Sequence, residues 1–227
     1  MPPKAKYTRE EIVEIALELV AVRGMDALNA RNLAAALGTS TRPVFTAFKN
    51  MGELTEEIYA AAMRRFEDYA RRTAKDIIPP FKSVGMQMIL FAAEQPKLFQ
   101  LLFMNGSGIE YSLTENASGG LVHSGSFEDM FERLGETRVM CMEYIQHDYG
   151  LDEREAGLLF RNTWLFTFGI CALIANGVCS YDETEVSEML SAQFRSVMGL
   201  ILSGKAFEKQ KYEKDLSHEE FRDKFKI

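Results

Sequence analysis

Between Asn29 and Leu54 the chain reads NARNLAAALGTSTRPVFTAFKNMGEL, and few local folds accommodate that order of residues. Leu33, Ala34 and Leu37 fall on one face of a short helix, and Gly38 supplies the positive φ that ends it. Ser40 or Thr41 is placed to cap a second helix, with Pro43 suited to its first turn. Val44 and Phe48, at i, i+4 spacing, turn inward and leave Thr41, Arg42, Thr46 and Lys49 outside. Asn50 caps a third, much longer helix. Two short helices joined by a tight turn, the second with small polar residues and two cations on its outer face, suit the major groove of DNA.

The helical period continues along nearly the whole chain. Thr8 with Glu11 predicts a capping box, opening an amphipathic helix through Ile12, Ile15, Ala16 and Leu19 that Gly24 ends. The helix after Asn50 is expected to run from about 52 to 77, with Leu54, Ile58, Ala62, Phe66 and Tyr69 on one face, until Pro79 and Pro80 stop it. Further helices are predicted over 81–93 and 96–103. Gly106, Gly108, Gly119, Gly120 and Gly125 mark 105–125 as loop. One helix is predicted over 127–149 (Met130, Leu134, Val139, Met142), broken by Gly150, and another from a cap at Asp152 to about 178. The last starts at Asp182 or Thr184, stripes Val186, Leu190, Phe194, Val197 and Ile201 on one face, and ends at Gly204. No segment alternates convincingly as a strand, so the fold class is all-α.

Charge narrows the function. The net charge of −7 argues against a protein that coats nucleic acid nonspecifically. Residues 1–52 hold seven Lys or Arg against five Asp or Glu, a balance of +2, which leaves −9 on the rest. A mildly basic head on an acidic body orients the head toward phosphates. The N-terminal MPPKAKYTREE has no apolar run and predicts no secretory leader. Cys141, Cys171 and Cys179 form neither metal spacing nor an even disulfide set, which fits a reducing cytoplasm. Residues 162–181 carry no charge, but their strongly apolar part, 164–175, is short for a membrane span and reads as a core or interface helix. His123, His147 and His218 stand at no triad or ligand spacing; His147 beside Asp148 and Glu143 reads as a solvated helix end. No enzyme, cofactor or metal is expected.

Gly24, Asn29, Leu33-Ala34, Gly38-Thr39-Ser40, Val44-Phe45, Phe48 and Leu54 follow in order the amino-terminal pattern of the TetR family of bacterial transcriptional regulators, which the chain resembles over about residues 8–60. Three positions depart from the pattern: Phe45 stands where the family usually has Tyr, Ala47 where His is frequent, and Met51 where Lys is frequent. The resemblance implies an N-terminal three-helix DNA-binding domain (1–52), a helical ligand-binding and dimerisation domain (53–204) and a charged tail (205–227). It implies a cytoplasmic repressor that binds a two-fold double-stranded operator as a homodimer and is released by a small apolar effector. Arg31 is then expected to reach a base edge; Ser40, Thr41, Arg42 and Pro43 open the recognition helix; Phe45 and Thr46 lie on the sugar-phosphate wall; Lys49 meets a phosphate. Lys4 and Lys6 extend toward an adjacent groove.

A ligand cavity is expected among the Phe- and Met-rich middle helices, at Phe91, Phe103, Met130, Glu143, Trp164 and Thr167, with Glu94 and Asn162 as further polar candidates. Leu165, Phe168, Ala172, Leu190, Phe194, Val197 and Ile201 are expected at a four-helix dimer interface. The alternatives are a helical interaction protein whose DNA-binding head is degenerate, and a helical small-molecule carrier.

Overall fold

Thr8 opens the first helix as its sequence demands. In the computed structural model, which describes residues 7–72, 79–104, 113–115, 121–123, 127–204 and 206, the Thr8 hydroxyl accepts from the Glu11 N–H at 3.2 Å and the Glu11 carboxylate accepts from the Thr8 N–H at 2.7 Å. This capping box starts α1 (Arg9–Arg23), and Gly24 at φ +78° ends it. A single 3₁₀ turn (Met25–Ala27) leads to α2 (Ala30–Ala36), capped by the Asn29 side chain. Gly38 takes φ +62°; its N–H bonds the Ala35 carbonyl at 3.1 Å and the Thr39 N–H bonds the Ala34 carbonyl at 3.0 Å. That pair of bonds is a Schellman end and sets the tight turn into α3 (Arg42–Ala47). Asn50 caps α4 (Met51–Arg71).

Ile12, Ala16, Leu17, Val20, Leu33, Leu37, Val44, Phe48, Leu54 and Ile58 are buried together as the core of this head. α4 does not stop there. Its carboxyl half, through Phe66 and Tyr69, packs on α5 (Pro80–Glu94) and α6 (Pro96–Phe103). The boundary expected after residue 52 therefore falls at the start of a helix that serves two cores, and α1 also packs on α6.

The body is built round α9 (Glu153–Ala175), which packs on α5, α6, α8 and α10. Asp152 and Glu155 form its capping box. By length and composition α9 is apolar enough to cross a membrane. Its packing against four helices, with Arg161 exposed part-way along, makes it a core helix. α10 (Glu183–Leu202) starts at Asp182, whose carboxylate accepts from the Glu185 N–H at 2.8 Å.

Two expectations need correction. The single helix over 127–149 is two, α7 (Phe127–Glu132) and α8 (Glu136–Tyr149), because Gly135 adopts φ +51° and breaks the chain between them. The segment read as loop contains an antiparallel strand pair, β1 (Leu113–Glu115) with β2 (Leu121–His123), in the register Leu113 to His123. The molecule remains all-α in class. The proposed continuation of α4 through 73–78, Lys4, Lys6 and the tail from 207 lie outside the described residues.

Candidate nucleic-acid interface and ligand cavity

α2 and α3 present one polar surface. Val44 and Phe48 are buried (1% and 2% exposed), which forces Thr41, Arg42, Phe45, Thr46 and Lys49 outward. Arg31 on α2 and Ser40 in the turn are exposed as well, while Pro43 is half-buried at the helix start. Ser40 Oγ accepts from the Arg42 N–H at 3.4 Å; Thr41 occupies the cap position with no side-chain bond. Thr46 Oγ1 donates to the Arg42 carbonyl at 2.9 Å, so its hydroxyl oxygen is free only as an acceptor. The side chains of Arg31 and Arg42 have no partner among the described residues. Phe45 is 53% exposed, a large ring on a surface that otherwise carries polar groups.

What holds this surface is Arg9, which sequence reading missed. Its guanidinium donates to the Ala47 carbonyl at 2.9 Å, pairs with Glu53 and Glu57 at 2.9 Å each, and lies 4.3 Å over the Phe48 ring. One side chain thereby ties the start of α1 to the end of α3 and to α4. Glu53 in turn accepts the Lys49 N–H at 2.6 Å; that bond first, and Arg9 second, hold its carboxyl below the usual range. The signal was present: Arg9 is the first residue of its helix, where the dipole disfavours a cation. Tyr7 also anchors the segment before α1, its hydroxyl donating to the Leu37 carbonyl in the helix-turn-helix turn.

A cavity of about 240 Å³ opens between α4, α5, α8, α9 and α10. Phe66, Met88, Cys141, Phe160 and Trp164 make its apolar wall, and Thr167 lines it too. Trp164 and Thr167 are two of the expected positions. The others lie elsewhere: Phe91 is fully buried against Phe66 and Tyr69, Phe103 packs between Phe66, Phe99 and Trp164, Met130 is half-buried off the cavity, and Glu143 is exposed. Glu94 accepts from the Tyr69 hydroxyl at 2.7 Å, and the Asn162 amide bonds the Leu158 carbonyl.

The polar groups that do line the cavity include Lys82, Tyr149, Ser191 and Arg195. Thr163 and Thr167 donate to carbonyls one turn back on α9, so their protons are spent within the helix. The Tyr149 hydroxyl is buried without a partner among the described residues, and burial, with Asp148 adding, pushes its pKa up to about 12. Burial also raises the Cys141 thiol to about 12. Lys82 and Arg195 are single charges within otherwise uncharged runs, FKSVGMQM and AQFRSVMGL, the one cue by which sequence could have found them.

The outer face of α9 and α10 differs from expectation. Leu190, Val197 and Ile201 are buried inside the chain, and Phe194 lines the cavity and packs on the Tyr149 ring at 5.0 Å. Within one chain, Leu190, Val197 and Ile201 belong to the core and Phe194 is half-buried against it. Phe168 stacks on Trp164 at 5.3 Å and Ala172 is half-buried. Large apolar groups left on the outside of these helices include Leu165, Leu173, Met189 and Leu200, each 39–48% exposed, and Leu202, 75% exposed.

A trihelical head with an exposed second helix of a helix-turn-helix is joined through a long shared helix to a helical body that holds a cavity. Residues 12–58 match the family described as bacterial regulatory proteins, tetR family. The match covers the head, and the whole chain has the fold of solved TetR-family transcriptional regulators. One similar structure, assigned to that family, comes from Mesorhizobium loti MAFF303099: 16% identity, 85% of this chain and 95% of that one covered, TM-score 0.53. A TetR-like transcriptional regulator from Rhodococcus sp. RHA1 is also 16% identical, over 88% of this chain and 100% of that one, with a TM-score of 0.52. No curated protein is significantly similar in sequence.

Proposed function

We propose that this regulator binds a two-fold DNA operator as a homodimer, represses transcription there, and is released when a small, largely apolar molecule enters the cavity. The observation that carries the reading is the recognition surface itself. Arg42 stands exposed, without a partner among the described residues, at the start of α3, beside Phe45 and near Thr41, on a helix fixed from behind by Arg9. An Arg so placed suits guanine, and an exposed Phe suits a thymine methyl.

A single helix-turn-helix grips one half-site, so two copies are needed for a two-fold site. The exposed Leu165, Leu173, Met189 and Leu200 supply the apolar face for pairing, and Gly169 between the first two has open space around it. α4 supports the coupling. Phe66 near its carboxyl end lines the cavity, while Glu53 and Glu57 at its amino end grip Arg9 and thus α3. A ligand that displaces Phe66 moves the lever on which the recognition helix rests, and favours one of two head spacings.

The test is selection of bound duplexes from a random DNA pool by the purified chain, with its fold and dimeric state checked. The expected result is a two-fold motif whose half-sites lie about one helical turn, ~34 Å, apart or a multiple of it. No enrichment from a folded dimer would contradict the DNA reading and favour the interaction-protein alternative.

A further inference from the structure

The cavity carries a sign opposite to that of the domain around it. Residues 53–227 hold the whole acidic excess of the chain, yet among the described residues no Asp or Glu lines the cavity, and two cations, Lys82 from α5 and Arg195 from α10, do. Lys82 Nζ donates to Ser187 Oγ at 2.6 Å and to Ser191 Oγ at 2.8 Å, both neutral acceptors. An ammonium has three N–H donors, so one stays without a partner among the described residues. Lys82, half-buried, forms no ion pair among those residues, although charges deprived of water normally do, and the exposed Arg195 forms none among them either.

A third donor joins them. The Tyr149 hydroxyl is buried, unpartnered among the described residues and held protonated, and its ring packs on Phe194, the neighbour of Arg195. Lys82 through Ser191, and Tyr149 through Phe194, therefore meet the same turn of α10. Met88 lies six residues further along α5, about 9 Å from Lys82 at the rise of an α-helix, on the wall it shares with Phe66, Phe160 and Trp164. The cavity is amphiphilic: cations and a hydroxyl at one end, aromatic rings at the other. An apolar cavity of about 150 Å³ admits benzene, so the 240 Å³ here suits a somewhat larger, ring-bearing molecule.

We propose that the effector is a small organic anion with an apolar or aromatic body, a monocarboxylate in the simplest case. Its charged group is bound by Lys82 and Arg195 and accepts a hydrogen bond from Tyr149, and its body lies against Phe66, Phe160 and Trp164. The inference rests on the reading of this cavity as the effector site, and adds its charge. A carboxylate buried beside a cation and a hydroxyl gains charge-assisted hydrogen bonds that offset its desolvation. An amine of the same skeleton meets two like charges and is rejected.

Trp164 is the only tryptophan in the chain and stands in the cavity wall, so its fluorescence reports occupancy. The full chain is titrated near neutral pH with 3-phenylpropionate, 3-phenylpropionamide and 3-phenylpropylamine, which share one skeleton and differ in charge. The acid is expected to bind about tenfold or more tightly than the amide, and the amine more weakly than either. Lys82→Met reduces the acid's affinity about tenfold and leaves the amide's unchanged, which also shows that the variant cavity is intact. Arg195→Gln, at an exposed position, gives a smaller loss of the same kind. Equal binding of acid and amide, or an unchanged acid affinity in Lys82→Met, overturns the anion assignment and leaves the effector cavity standing. No change in Trp164 emission with any of the three overturns the effector cavity, and the anion with it.

Discussion

The head and the body of this molecule differ in what fills them and in where they keep their positive charge. The head core consists mainly of small and medium aliphatic groups, Ile12, Ala16, Leu17, Val20, Leu33 and Leu54, all at most 1% exposed, which fill the space between short helices. The body core is built on rings, among them Phe66, Phe91, Phe99, Phe131 and Trp164. Phe66 and Phe91 meet edge to face at 5.4 Å, and Phe131 and Trp164 at 5.5 Å. The 240 Å³ cavity lies within this body, bordered by Phe66 and Trp164 of these rings and by Phe160. Charge follows the same division. In the head the structural cations Arg9 and Arg65 are paired with carboxylates, Arg65 with Glu14 and Glu18 at 2.8 and 2.7 Å, while Arg31 and Arg42 are left bare on the outside. In the body Lys82, half-buried and without an ion pair among the described residues, lines the cavity, with the exposed Arg195 beside it. A surface that keeps bare cations outside is suited to a polyanion; a cavity lined by a half-buried cation is suited to one small molecule.

The strongest way to break the contrast is to remove a ring from the shared helix. Phe66→Ala is expected to cost about 3–5 kcal/mol, because Phe66 is 1% exposed and packs on both Phe91 and Phe103. Urea denaturation followed by circular dichroism measures it, and a loss below about 1 kcal/mol would mean that the body repacks as readily as an aliphatic core. Next comes the outer face. Leu165→Glu should change the stability of one chain by no more than about 0.5 kcal/mol, yet convert dimer to monomer in sedimentation velocity, since Leu165 is 39% exposed on a single chain. A dimer unaffected by this change would place the chain-to-chain contact elsewhere. The smallest effect is on the head. Phe45→Tyr, at a position 53% exposed, should leave the fold untouched and strengthen duplex binding by about 1 kcal/mol through a hydroxyl placed against a phosphate. Fluorescence anisotropy resolves such a gain, and weaker binding would instead assign the ring to an apolar contact that a hydroxyl disturbs.

The two regions also differ in how far their sequences could be read. The head was legible because its determinants are local. Gly38 ends one helix, Val44 and Phe48 set the inward face of the next, and Asn50 caps the one after, all within a dozen or so residues. Arg9 escaped because its partners Ala47, Glu53 and Glu57 are about 40 positions away in sequence and only folding brings them to it.

In the body, periodicity located the helices but not what each face meets. The stripe Leu190, Val197 and Ile201 looks the same whether it faces its own chain or another, and here it faces its own. Composition likewise does not separate a ring that fills space, such as Phe91, from one that borders space, such as Trp164. Gly135 was passed over within a helical period because a glycine there is tolerated; its positive φ is a property of the fold.

The account stands most directly on Arg42. The affinity of the wild-type chain for its selected duplex, and for a scrambled duplex of the same length, is measured by fluorescence anisotropy beside that of Arg42→Ala. The expected outcome is a loss of about 1–3 kcal/mol on the selected duplex, with the preference over the scrambled one relaxed at the base pair Arg42 meets and the denaturation curve unchanged, because the side chain is exposed and has no hydrogen-bond or ion-pair partner among the described residues. An Arg42→Ala variant that keeps full affinity and full sequence preference would contradict the assignment of α3 as the helix that reads DNA.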